Sequence, residues 1–281
     1  MFKESLLLIA GLYFTVAVAA YFLADRLIFR PPTSSYSVGQ LPIVFVPIGD
    51  DAGIATLHLQ NSSAALTILY SHGNAEDLGH LAPLLRQFHR NGFSVLSYDY
   101  RGYGLSTGGP ASAKGAYRDL QAVYRYAVEE LGVQPDRLIL LGRSVGSGPA
   151  TELASRVPVG GLILESGFVS AFRVMTRIPL LPFDRFPNLR NIREVECPVL
   201  VIHGSEDEVI APWHGQRLFE AAPEPKQLLW VEGARHNDLV NVAGAQYWRA
   251  LLSFAMVVQH HNVPSKGPTK RRITPPRRGL D

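Results

Sequence analysis

Cysteine is almost absent: Cys197 is the single one in 281 residues. No intrachain disulfide can form and no cysteine-based zinc site exists, so cysteine usage does not decide the compartment. The chain holds nine histidines, yet no set of His and carboxylate residues has metal-ligand spacing, and no metal is expected. A dinucleotide loop is also missing. Gly102-Tyr103-Gly104 is followed next by Gly108, so the G-x-G-x-x-G pattern fails and no cofactor is assigned. Charge is sparse as well, with a net value of +3. The excess sits in residues 262–281, where Lys266, Lys270, Arg271, Arg272, Arg277 and Arg278 face Asp281 alone. The remainder is slightly acidic, which argues against a nucleic-acid partner.

What is present is apolar: 47% of residues, enough for the core of one large α/β domain. Residues 5–24 carry no charge. As a helix of 1.5 Å rise they would cover about 30 Å, the thickness of a hydrocarbon core. A cleaved signal peptide is the rival, with Ala17-Val18-Ala19 as its cleavage site. The uncleaved anchor is preferred because apolar character continues through Tyr21, Phe22, Leu23 and Ala24 and resumes at Leu27, Ile28 and Phe29. The expected layout is a single-pass anchor with its flank over 1–30, a linker over 31–40, a catalytic domain over 41–261 and a basic, Pro-rich, disordered tail over 262–281. Lys3 on one side and Arg26 with Arg30 on the other lean toward a cytoplasmic domain. The tail is read as a solubilising end, with contact to anionic lipid as the sharper alternative.

Apolar runs predict eight strands, over 42–48, 54–59, 66–71, 93–98, 137–141, 161–164, 199–203 and 227–231. Helical patterns separate the later ones. The clearest, Ala116, Leu120, Val123, Tyr124, Ala127, Val128 and Leu131, is spaced by three and four and ends at Gly132. Strands alternating with amphipathic helices predict a mostly parallel sheet covered on both faces, with function at the carboxyl ends of its strands.

Gly142-Arg143-Ser144-Val145-Gly146 falls between a predicted strand and a predicted helix. G-x-S-x-G in that setting is the signature of a nucleophile elbow. The turn leaves no room for side chains at either glycine and holds the serine in a strained backbone. A serine needs a base, and the base needs a carboxylate, in the chain order Ser, Asp or Glu, His. Asp207 follows the strand over 199–203, and His236 follows the strand over 227–231. Asp207 is favoured over Glu206, Glu208 and Asp238. Asp238 shares the loop of His236 and is badly placed to reach its imidazole from behind. His72 and His203, at strand ends, read as loop packing, and His260 and His261 as solvated. Two backbone donors are expected to hold an oxyanion, the N–H of Val145 and that of Asn74, with Ala75 behind it. The interval 168–198 predicts a short lid or pocket wall. Phe168, Phe172, Met175, Ile178 and Leu181 would line it for an acyl chain, against the alternative that they pack an ordinary helix into the core.

Taken together, the elbow, Tyr70-Ser71-His72-Gly73-Asn74-Ala75, Ser97-Tyr98-Asp99-Tyr100-Arg101-Gly102-Tyr103-Gly104, the Asp207 segment 203–210 and the His236 segment 230–238 resemble the α/β-hydrolase fold. Within that fold they are similar to the membrane-associated alpha/beta-hydrolase domain-containing proteins, some of which are protein depalmitoylases. The resemblance covers residues 40–256 and implies Ser144, Asp207 and His236 as the triad. One departure stands out: the depalmitoylases have a cysteine-rich, lipid-modified N-terminus, and this chain has a hydrophobic run there. The expected function is a membrane-anchored serine hydrolase cleaving esters or thioesters of small-molecule or lipid-linked acyl groups. A peptidase of the same fold and a catalytically silent, membrane-tethered binding protein are the alternatives.

Overall fold

The computed structural model describes residues 2–49 and 51–261. The basic tail expected over 262–281 therefore lies outside the described residues.

The chain opens with helix α1 (Phe2–Ile28). It is the one described helix long and apolar enough to cross a membrane, with a mean hydropathy of 2.3. An antiparallel pair follows, β1 (Ile43–Gly49) and β2 (Ala52–Leu59). Alternation then begins: β3 (Thr67–Ser71), α2 (Leu78–Arg90), β4 (Ser94–Tyr98), α3 (Ala113–Arg125), β5 (Leu138–Arg143) and α4 (Ser147–Ala154). Strand β6 (Gly161–Glu165) leads to two short helices, α5 (Ala171–Thr176) and α6 (Asn188–Asn191). The remainder is β7 (Val199–Gly204), α7 (Trp213–Ala221), β8 (Lys226–Val231), α8 (Leu239–Ala243) and α9 (Ala245–His261).

The eight strands form one sheet in the order β1-β2-β4-β3-β5-β6-β7-β8. Only β2 runs against its neighbours; the pairs from β4 through β8 are parallel. This is the expected mostly parallel sheet, with the predicted strand bounds recovered to within two residues. Every residue of β3, β4 and β6, and all of β5 but Arg143, is buried, because both faces of the sheet are covered there. Side chains alternate between two layers of core. Leu69, Leu140, Leu162 and Val201 pack toward α3 and α4, while Ile68, Ile139, Ile163 and Leu200 pack toward α2 and α9. Caps fix the starts of two helices. Asp77 accepts from the N–H of His80 at α2, and Ser112 from that of Gly115 at α3. Cys197 is buried just before β7, and burial pushes its thiol pKa up to about 12.

The end of α1 is docked on the domain, a packing the apolar run alone does not announce. Phe29 is buried, its ring edge-to-face with Tyr100, Tyr103 and Phe186. Asp25 accepts from the N–H of Ala113 at 3.1 Å, the first residue of α3. Within the segment read as a linker, Tyr36 is buried and donates to Asp99.

Candidate active site

Strand β5 ends at Arg143, and the chain turns through Ser144 into α4. Ser144 has φ +51°, a left-handed backbone that few non-glycine residues adopt. Both motif glycines are required by contact. A Cβ on Gly142 would stand 2.5 Å from the carbonyl oxygen of Gly146, and one on Gly146 would stand 2.1 Å from that of Ser71. The elbow therefore presses against the end of β3 and lifts the Ser144 hydroxyl above the sheet.

Asp207 and His236 arrive from the loops after β7 and β8. His236 Nδ1 lies 2.8 Å from Asp207 Oδ2 and 3.0 Å from Oδ1, and its Nε2 lies 3.1 Å from Ser144 Oγ. With Nδ1–H donated to the carboxylate, the Nε2 lone pair faces the serine hydroxyl. Asp207 also accepts from the N–H groups of Val209 at 3.0 Å and Ile210 at 2.7 Å. Burial alone would raise its pKa. The hydrogen bond and charge of His236, with the Ile210 N–H, outweigh burial and hold the carboxyl below the ordinary value.

The rivals are occupied elsewhere. Asp238 accepts from the N–H of Arg235 within its own loop. His72 is fully buried against Tyr100, with Nδ1 2.7 Å from the Gly73 carbonyl. His203 places Nε2 2.8 Å from the Ile210 carbonyl.

A cavity of about 660 Å³ adjoins the serine. Ser144, His236, Asn74 and Val145 form its floor, and Phe168, Phe172, Met175 and Leu181 form one wall. Ile178 is not part of it. It is exposed and lines a smaller hollow with Leu180 and Phe183. The reason is local: α5 stops at Thr176, and Pro179 starts a tip that turns outward. Asn74 does more than occupy a turn. Its side-chain Nδ2 donates to the Ile28 carbonyl at 2.6 Å, and its Oδ1 accepts from Arg30 N–H at 2.9 Å and Tyr103 O–H at 2.6 Å.

Arg143, the residue before the serine, has a role that the motif alone does not announce. Its Nη1 donates to Glu76 at 2.7 Å, and its Nε lies 3.3 Å from Glu165. Its Nη2 donates to the carbonyl of His236 and to Asn237 Oδ1. Glu76 in turn accepts from the N–H of Gly73 at 2.6 Å. One guanidinium thus ties together the Asn74 loop, the elbow and the histidine loop. Burial opposes its charge, but Glu76 and Glu165 more than compensate and keep its pKa above the usual value. The available signal was a lone charge ending an apolar strand beside acidic residues on neighbouring strand ends.

A Ser–His–Asp relay on three strand ends of a mostly parallel sheet defines a serine hydrolase of the α/β-hydrolase fold. Similarity to known proteins agrees. The family model "Serine aminopeptidase, S33" matches residues 62–182, which include Ser144 but end before Asp207 and His236. Alpha/beta hydrolase domain-containing protein 17B of Xenopus laevis is 42% identical over 195 residues, covering 68% of this chain and 67% of that protein. Alpha/beta hydrolase domain-containing protein aho-3 of Caenorhabditis elegans is 43% identical over 192 residues, covering 67% of this chain and 57% of that protein. The chain belongs to this alpha/beta hydrolase domain-containing protein family. It spans less than two thirds of the length of the worm relative. Among solved structures, the esterase Pf2001 of Pyrococcus furiosus superposes with a TM-score of 0.68. That match covers 82% of this chain and 98% of the esterase at 18% identity, a likeness of fold.

Proposed function

We propose that this chain is a membrane-anchored serine hydrolase that cleaves acyl esters or thioesters through an acyl-enzyme. The observation that carries the reading is the hydrogen-bonded relay opening onto an apolar cavity. In this reading, Ser144 Oγ attacks the acyl carbonyl as His236 Nε2 takes its proton, and Asp207 stabilises the resulting imidazolium. The N–H groups of Val145 and Asn74 hold the oxyanion. As the C–O or C–S bond breaks, His236 returns the proton to the leaving oxygen or sulfur. Water then attacks the acyl-serine by the same route, releasing the acid.

An acyl substrate is favoured over a peptide by the character of the wall. Phe168, Phe172, Met175 and Leu181 offer no hydrogen bonds, and each buried CH₂ of a chain is worth about 0.8 kcal/mol. A peptidase reading has the matching family description in its favour. Against it, no Asp or Glu is found among the described residues lining the cavity, so no carboxylate stands ready for a peptide's amino end. The anchor reading rests on the length and apolarity of α1. With it go the layout of anchor, linker, catalytic domain and basic tail, and a catalytic domain on the cytoplasmic side.

The full chain in detergent should be assayed on p-nitrophenyl esters from acetyl to octanoyl and on peptide amides. The expected outcome is a kcat/KM that rises with chain length and poor turnover of amides. A steady fall from acetyl onward, with fast amide cleavage, would overturn the acyl reading.

A further inference from the structure

The cavity beside Ser144 has a second wall, and that wall is the N-terminal helix. Ala20, Ala24, Leu27 and Ile28 line it, spaced as one stripe of α1. Two of the four are alanines, and Ala24 is 1% exposed although its neighbours Phe22 and Leu23 face outward. Small side chains at these positions leave the space that the cavity occupies.

The opposite wall is bound to α1 along a considerable length. Tyr13 O–H donates to the Leu180 carbonyl at 3.0 Å. The Tyr21 ring meets Phe183 edge-to-face and lies under the Arg185 guanidinium, which also donates to the Tyr21 carbonyl. Arg185 sits 3.6 Å from Asp25 as well. From Asp25 back to Tyr13 is about 18 Å of helix. The segment between α5 and α6 therefore climbs well up the apolar helix, away from the sheet. Met175 at the end of α5, and Ile178 and Leu180 just after it, are exposed at 86%, 59% and 53%. Exposed apolar side chains of α1, among them Leu12, Phe14 and Phe22, add to this apolar surface. Such a patch marks contact with a membrane or a partner. The adjoining spanning-length helix selects the membrane.

We infer that α1 is a wall of the acyl site as well as a tether, and that the cavity takes its acyl chain sideways from the bilayer, between α1 and the segment around Met175–Leu180. The occupant is one acyl chain of a bilayer-resident ester or thioester. This rests on the proposed reading of a membrane-anchored acyl hydrolase. Chain selectivity then lies partly in α1: a larger side chain at Ala20 fills the space that the distal methylenes need, leaving the carbonyl at Ser144 untouched.

The test uses the full chain in phosphatidylcholine vesicles. The quantity read is the ratio of kcat/KM for a vesicle-borne octanoyl ester to that for a water-soluble acetyl ester. A short-chain fluorophosphonate reports an intact serine site. Ala20→Trp is expected to lower the ratio about tenfold or more, since two methylenes denied burial cost roughly that factor. Phe22→Trp, of similar bulk on the outward face, should leave the ratio within about twofold. An unchanged ratio in Ala20→Trp with wild-type labelling would overturn the inference and leave the hydrolase reading standing. If Ala20→Trp loses labelling, the milder Ala20→Leu decides by the same ratio. Failure of the wild type itself to label would instead remove the hydrolase reading, and the inference with it.

Discussion

Ser144 holds a backbone that crowds its own β-carbon, a cost of roughly 1–2 kcal/mol for an L-residue. Two variants separate this strain from chemistry. Ser144→Ala and Ser144→Gly should both lose hydrolysis by several powers of ten, with fluorophosphonate labelling gone. Only glycine relaxes the backbone, so Ser144→Gly should be more stable than Ser144→Ala by about 1 kcal/mol in urea unfolding. Equal stabilities would mean that the turn is unstrained. At the acid, Asp207→Asn should lower kcat by several powers of ten, because the amide can leave the imidazole in the wrong tautomer. Asp238→Asn should do far less, since Asp238 contacts the N–H of Arg235 and not the ring. The opposite ranking in steady-state kinetics would refute the assignment. Because the folded pKa of Asp207 is depressed, its contribution to stability is present above the unfolded value and is lost as pH falls through the folded one.

Among the elements, Arg143 ties the elbow to both the Asn74 loop and the histidine loop. Arg143→Met keeps the length of the side chain and removes the fork. It should lower kcat about a hundredfold with little change in KM, since sub-ångström misplacement of His236 harms the transition state most. A rise in KM at constant kcat would mean that Arg143 binds substrate instead. The strands were readable to within two residues because buried parallel strands are short apolar runs bounded by turn residues. The relay was readable too, because the order Ser, Asp, His at strand ends is a local pattern. Arg143 was not, because its partners Glu76, Glu165 and Asn237 come from three other strand ends. The docking of α1 was hidden for a similar reason. Ala20 and Ala24 look the same in sequence whether they face lipid or a cavity, and Phe29 finds Tyr100, Tyr103 and Phe186 only in the folded chain.

Across the whole molecule, one buried carboxyl sets a pH dependence opposite in sign to that of Asp207. Asp99 is fully buried, and its pKa is pushed up to about 7, chiefly by burial and despite hydrogen bonds from Tyr36 and Leu78. It holds its proton more tightly folded than unfolded. Folding therefore takes up a proton between the ordinary carboxyl value and about 7, and the Asp99 contribution to stability falls as pH rises across that window. Asp99→Asn mimics the protonated acid and should flatten this fall, as read from urea midpoints between pH 4.5 and 7.5, roughly that window. An unchanged slope would show that the carboxyl is ionised throughout. The single thiol carries a different consequence. With Cys197 buried and its pKa near 12, the folded chain presents no thiolate at neutral pH. It is a ready-made background for spectroscopy: after Met175→Cys or Phe22→Cys, a nitroxide reagent has one reactive target, and its relaxation by oxygen or a water-soluble nickel chelate reports whether that side chain enters lipid or faces water.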